Sequence, residues 1–172
     1  MPVIKAFDLA YGRLRSPDLD KEEEFLTDFG MVRADRTKNA LYMRGTDGPH
    51  HIHITELGEP RYLGVAVHAA SLDDLQRISR VEGASPIEDI DEPGGGKRVR
   101  LTDPDGYQVE VVHGMEMLDP ITVPRAERIE HYRAQAARYK QLAELEGQSS
   151  VREGLLDLAR QCDAMAEALA EA

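Results

Sequence analysis

The sequence predicts an α+β fold: two βαβββ modules forming one cup-shaped mixed sheet with helices on its convex face, plus a C-terminal α-helical hairpin. Three observations predict it. The order strand–helix–strand–strand–strand occurs twice, offset by about 55 residues, a distance at which internal repeats mark architecture. The β-type runs alternate in polarity, so each offers one apolar face to a helix and a more polar face to something else. After Pro124 only two glycines remain and strong helix formers dominate.

The first module spans about residues 3–58. It opens on the strand "KAFDLAYGRLR", where Ala10, Gly12 and Leu14 oppose Tyr11, Arg13 and Arg15. "SPDLDKEEEFLTDFG" follows as a helix, with Ser16 as cap, Pro17 at the first helical position and Gly30 as stop. The runs "MVRADR", "NALYMRG" and "HHIHITEL" complete the module, and in the last Ile52 and Ile54 oppose His51, His53 and Thr55.

The second module spans about residues 61–116. In "RYLGVAVHAA", Leu63, Val65 and Val67 oppose Gly64, Ala66 and His68. The helix in "SLDDLQRISRVEG" has Ser71 as cap, Asp73 and Asp74 in its first turn and Gly83 as stop. "SPIEDID", "KRVRLTD" and "YQVEVVHG" follow, and in the last Val109 and Val111 oppose Gln108, Glu110 and Val112. The polar faces gather Tyr, Arg, His and Glu. Solvent exposure is the ordinary fate of such a face, but its repetition in both modules points to a hydrated concave cavity.

The sheet domain is assigned to residues 1–117 and the helical hairpin to 118–172. Residues 124–146 and 150–170 read as two helices joined by "GQSS", with Gly147 ending the first and Ser149 or Ser150 capping the second. Val151, Leu155, Leu158, Cys162, Met165 and Leu169 form a narrow seam, and Ile129, Tyr132, Ala136, Tyr139 and Ala143 fall at the same kind of spacing. The two seams could bury on each other, on the sheet domain or in a second subunit. A short loop makes the two helices antiparallel neighbours. A lone helix pair has little core, so residues 124–170 are expected to join a second subunit in a four-helix bundle, making the protein a homo-oligomer.

Composition removes several function classes. A net charge of −11 disfavours nucleic acid and anionic membranes. No apolar run is long enough to cross a bilayer, and "MPVIKAFDLAYGRLR" has no apolar segment of the secretory kind. With Cys162 the only cysteine, no intrachain disulfide forms, and a cytoplasmic location is expected. "PGGGKR" lacks the spacing of a phosphate-binding loop and reads as a flexible connection at the mouth of the cup. Cys162 reads as a small core residue. The expected partner is a small molecule or another subunit.

The densest chemical signal is "DGPHHIHITE", with three of the six histidines. Alternation places His51 and His53 toward the cavity and leaves His50 at the strand entry. His113 reads as a strand-end surface residue. The cavity candidates are Tyr11, Arg13, His51, His53, His68 and Glu110.

The stretches "LAYGRLRSPDL", "YLGVAVHAASLDDL" and "RLTDPDGYQVEVVHG" resemble the vicinal oxygen chelate superfamily, which includes glyoxalase I, bleomycin-resistance proteins and extradiol ring-cleavage dioxygenases. The resemblance covers residues 3–116 and is nearest to the N-terminal domain of extradiol dioxygenases, through the Tyr-Gly pair at 11–12 and "YLG" at 62–64. It implies that the first and last strands of each module share a cup, with metal-ligand positions at Tyr11, His53, Gly64 and Glu110. Metal-binding members commonly carry histidine where this chain has Tyr11 and Gly64, whereas the first domain of the extradiol enzymes carries no iron.

The resemblance therefore implies a small-molecule-binding protein with a degenerate metal site, taking planar aromatic, catechol-like ligands. One alternative is a divergent metal-dependent dioxygenase or glyoxalase-like enzyme. It would hold Fe(II) or Mn(II) through His53 and Glu110, take a third ligand from His51, His68 or Tyr11, and use Arg13 to neutralise a bound catechol. A second alternative is a structural subunit acting through the helical tail.

Overall fold

The computed structural model describes residues 3–171, so the outermost positions of both assigned ranges, 1–2 and 172, lie outside it. Its strands are β1 (Ala6–Ser16), β2 (Val32–Arg36), β3 (Ala40–Arg44), β4 (His53–Leu57), β5 (Arg61–Ala69), β6 (Glu88–Asp89), β7 (Lys97–Thr102) and β8 (Gln108–His113). The helices are α1 (Leu19–Asp28), α2 (Leu72–Ile78), α3 (Arg125–Leu145) and α4 (Ser149–Glu171). All eight strands form one mixed sheet in the order β2-β3-β4-β1-β5-β8-β7-β6. Each module lays its last strand parallel to its first, β4 on β1 and β8 on β5. Antiparallel pairing of β1 with β5 joins the two modules. This is the doubled βαβββ arrangement that the repeat predicts.

Capping explains where the sheet-domain helices begin. Asp18, not Ser16, caps α1, and its carboxylate accepts the amides of Asp20 and Lys21. Ser16 remains the last residue of β1, because the following proline holds its predecessor in an extended conformation. Ser71 caps α2 as expected, but that helix ends at Ser79, well before Gly83. α1 buries Leu19 and Leu26 against Leu41 and Met43 of β3. α2 buries Leu75 against Ala69, Val99 and Val111. A third cluster lies on the opposite, concave face and contains Tyr11, Tyr42, Ile54, Ala66 and Val112.

Two sequence runs shorten. "HHIHITEL" becomes a strand only from His53, and "SPIEDID" yields only two paired residues. At Gly64, a bulge in the β1–β5 pairing brings backbones together. A Cβ there would sit 1.8 Å from the Gln108 carbonyl oxygen.

The chain divides into two compact units, Met1–Ile121 and Thr122–Ala172. The division falls later than residue 117 because the intervening segment is stitched back to the sheet domain. Leu118 N–H donates to Gly48 O at 2.7 Å and Ile121 N–H to Thr46 O at 2.8 Å. Arg44 Nη2 donates to Asp119 O at 2.9 Å.

In the second unit α3 and α4 pack on each other. The buried residues are the small ones, Ala136 and Ala143 on α3 with Ala159 and Ala166 on α4. The α4 seam therefore runs through Leu155, Ala159, Cys162, Ala166 and Leu169. Val151, Leu158 and Met165, which the sequence assigned to that seam, remain 43%, 42% and 48% exposed. Alanine allows two helices to approach more closely than leucine or methionine, and the closer packing turns α4 about its axis. Among the described residues no helix is long and apolar enough to cross a membrane.

Candidate functional site

The concave face is built around Glu110. β8 places this carboxylate between β5 and β7, where it is 2% exposed. The Tyr11 hydroxyl donates to Glu110 Oε2 in a very short hydrogen bond. Gln108 Nε2 donates to Oε1 at 2.7 Å, and Arg98 Nη1 and Arg100 Nε approach the same oxygen at 3.3 and 3.4 Å. Arg13 Nη2 lies 3.7 Å from Oε2. Both oxygens are thus engaged by donors from β1, β7 and β8.

The charges continue outward. Arg13 also pairs with Glu92 at 2.7 Å and Glu56 at 3.0 Å, and Arg98 pairs with Glu92 at 2.9 Å. Arg15 closes on Glu56, and Arg100 on Glu88, each at 3.0 Å. Arg13, Arg15, Arg98 and Arg100 thereby balance Glu56, Glu88, Glu92 and Glu110. Burial opposes the charge on Arg13, but Glu92 and Glu110 outweigh it and hold the guanidinium firmly protonated. Burial would raise Glu92, yet Arg13 and Arg98 keep it below the usual carboxylate range. Burial, then the neighbouring Glu110 charge, pushes the Tyr11 phenol well above its ordinary value, so it stays a donor. A cavity of about 210 Å³ is bounded by Arg13, Arg98, Arg100, Glu56, Glu92 and Glu110.

His51 forms an aromatic wall beside this network. Its ring centroid lies 5.0 Å from Tyr11 and 5.3 Å from Tyr42. Burial, with His50 and Arg13 nearby, pushes His51 down to about 3, and burial pushes Tyr42 up to about 12. His51 Nδ1 is 3.0 Å from His50 Nδ1, so one ring donates and the other accepts. Gly94 lies against both imidazoles, where a Cβ would come within 3.1 Å of His50 and 3.2 Å of His51. The glycine loop is consequently anchored rather than flexible, and its Gly94 carbonyl also accepts the Glu116 amide at 2.8 Å. Three buried nitrogens in this region, His51 Nε2, Arg13 Nε and Arg98 Nε, have no hydrogen-bond partner among the described residues.

Of the six residues the sequence nominated, Tyr11, Arg13, His51 and Glu110 come together and two do not. Ile54 packs with Tyr11 in the concave cluster, and in register Tyr42 pairs with Ile54 while Met43 pairs with His53. His53 and Thr55 therefore face α1. His53 Nε2 lies 2.8 Å from Thr55 Oγ1; burial lowers its pKa, and Glu22 of α1 opposes that shift. The alternation fails because the chain bends at residues 50 and 52 and becomes a strand only at His53. The Ile52 amide donates to Met43 O, and the Ile52 carbonyl accepts the Gly12 amide. His51 enters the cup from the bend, and strand geometry begins at His53. His68 stacks on Phe7 at 5.5 Å and does not join the Glu110 network. His50, assigned to the strand entry, is buried, and His113 lies 3.2 Å from the Ala69 carbonyl.

These placements decide the metal question for this donor set. His53 and Glu110 lie on opposite faces of the sheet and cannot share an ion. Gly64 has no room for a ligand side chain, and Tyr11 keeps its proton, which it donates to Glu110. Three guanidiniums within 3.7 Å of Glu110 would repel a dication. No group of three or more His, Cys, Asp or Glu among the described residues is placed to hold a metal. The residues present do not fit Fe(II) or Mn(II).

Sequence reasoning missed Tyr42, Glu56, Glu88, Glu92 and Arg98, whereas Arg100 is legible from the sequence as an ion-pair partner for an inward Glu110. Arg98 was legible too, since it and Arg100 flank Val99 at alternate positions of "KRVRLTD". Glu56 was hidden by the wrong face assigned to its strand, and Glu92 by the loop that folds it inward.

No family model matches the chain. It is 32% identical over 128 residues to a metapyrocatechase from Geobacillus stearothermophilus, covering 69% of this chain and 38% of that protein. Among solved structures it is similar to the Mn(II)-bound glyoxalase from Novosphingobium aromaticivorans, with a TM-score of 0.65 and 22% identity over 73% of this chain and 44% of that one. It is likewise similar to homoprotocatechuate 2,3-dioxygenase from Brevibacterium fuscum, solved in complex with 3,4-dihydroxyphenylacetate, with a TM-score of 0.63 and 21% identity over 70% and 40% of the two chains. The chain spans about two fifths of the length of these proteins. By fold and by sequence likeness together, it belongs to the vicinal oxygen chelate superfamily, with its affinity to the extradiol dioxygenases.

Proposed function

We propose that this chain is a small-molecule-binding module of the extradiol dioxygenase type that works without a metal of its own. Its cup, a degenerate metal site, takes a planar aromatic, catechol-like ligand. The observation that carries this reading is the state of Glu110, whose carboxylate is already occupied by Tyr11, Gln108 and arginine donors. Arg13 and Arg98 line the cavity and each carries a buried Nε without a hydrogen bond, which supports recognition of ligand oxygens, and the buried Tyr11 ring packs beneath the Arg13 guanidinium. A cavity of about 210 Å³ suits one substituted ring, being smaller than the common range for drug-sized ligands. A structural neighbour was solved with 3,4-dihydroxyphenylacetate, which supports the ligand class. The single cysteine suits a cytoplasmic location.

Isothermal titration of the full chain with catechol and with 3,4-dihydroxyphenylacetate, in the presence of EDTA, tests the reading. Saturable binding that Arg13→Ala weakens is the expected result. Binding only after Mn(II) or Fe(II) is added, or no binding at all, contradicts it.

A second reading adds self-association. The exposed column Val151, Leu158 and Met165 on α4 favours pairing of the hairpin with a second copy of the chain. Light scattering should then report a dimer for the full chain and a monomer for the double variant Leu158→Glu, Met165→Glu. A monomeric parent would remove this reading.

A further inference from the structure

A second, larger cleft opens where the sheet ends. Its volume is about 490 Å³, and it lies between the end of β1, the start of β5, the loop after α2 and the β7–β8 turn. Arg15, Arg61 and Arg100 line it, with Leu63 and Leu101 as apolar walls, and no carboxylate is among the lining residues. In a chain of net charge −11, that is an unusual local sign.

The register adds an independent observation. Arg15 and Arg61 are direct partners across the β1–β5 pair. Like charges directly opposite one another on paired strands destabilise a sheet. Arg15 has Glu56 at 3.0 Å as counterion and Arg100 has Glu88 at 3.0 Å, but Arg61 has no ion pair among the described residues. One cation thus stands uncompensated beside another, at the edge of an open cleft with apolar walls.

We propose that this cleft binds the carboxylate of a small organic acid, with Arg61 as the principal charge partner and Leu63 and Leu101 against the ligand's hydrocarbon part. Arg15 and Arg100, each already holding one glutamate, add field without being fully free to bind. The proposal rests on the reading of the module as a small-molecule binder, and it names the charged group that the ligand carries. An uncharged aromatic gains at most a cation–π contact or a neutral hydrogen bond from Arg61, whereas a carboxylate gains a stronger charge-assisted hydrogen bond that salt weakens.

Benzoate and its neutral isostere benzamide separate charge from shape. In an amide NMR titration of the full chain, benzoate should move the signals of Arg61, Leu63, Arg100 and Thr102 saturably, and benzamide should leave them in place. Arg61→Gln should weaken benzoate about tenfold, the loss of one charge-assisted bond, with the remaining spectrum unchanged. Arg61→Lys should recover part of the loss. Equal binding of benzamide, unchanged affinity in Arg61→Gln, or no saturable shift overturns the proposal. Catechol is uncharged, so its binding reports on the module separately. Benzoate failing while catechol binds rejects the cleft alone, and both failing rejects the reading beneath it.

Discussion

β4 and β8 hold the same place in their modules, yet His53 of β4 and Glu110 of β8, which the repeat makes equivalent, point to opposite faces of the sheet. β8 follows strict alternation: Gln108, Glu110 and Val112 enter the cup while Val111 packs toward α2. β4 is preceded by bends at residues 50 and 52, so Ile54 and Glu56 enter the cup and His53 turns to α1. A one-residue change of register inverts every side chain of a strand. Here it separates the two polar residues that would otherwise have faced one another, and it places Glu56 within reach of Arg13. The cup is consequently lined by charge pairs that converge on Glu110 and Glu92.

Four substitutions sharpen or break that contrast. Glu110→Ala should have the largest effect. It leaves Arg13, Arg98 and Arg100 with a lost buried partner, and urea unfolding should show a loss of about 4 kcal/mol. Gly64→Ala comes next, at about 3 kcal/mol, because the added methyl meets backbone and not a movable side chain.

The third test uses pH. His51 titrates near 3 in the folded chain against 6.5 in the unfolded one, so between these values the unfolded state binds the extra proton. Stability therefore falls with acidification, by about 1.4 kcal/mol per pH unit for this group and about 2 kcal/mol by pH 5. His53 and His68 are also lowered, mainly by burial, and act in the same direction. His51→Leu should remove one proton's worth of the slope between pH 6.5 and 5, and an unchanged slope would show that His51 is not the buried neutral group described. His53→Ala should be the mildest, about 1 kcal/mol for the bond to Thr55, with ligand binding intact. Loss of binding in that variant would return His53 to the cup.

Much of this fold was legible because it rests on local signals. The doubled element order, the Ser71 cap and the alternation of β1, β5 and β8 each follow from neighbouring residues. The site was legible at Tyr11, Arg13 and Glu110, where alternation assigned the right face, and at His51, which reaches the cup from outside its strand. His53 was misplaced because period-2 reasoning cannot see a bend between His51 and His53, whose hydrogen bonds are made to Met43 and Gly12 from other strands. Glu92 was missed because its position depends on a loop folding back onto two histidine rings. The α4 seam was rotated because the larger apolar residues were weighted over the alanines that let the helices approach.

On the proposed reading, Glu110 serves a charge network and holds no metal ion. Metal analysis of untagged protein, incubated anaerobically with Fe(II) or Mn(II) and desalted, tests it most directly. Substoichiometric metal, the same in the parent and in Glu110→Gln, is the expected result. One equivalent of either ion in the parent, lost in Glu110→Gln while that variant remains folded, would contradict it.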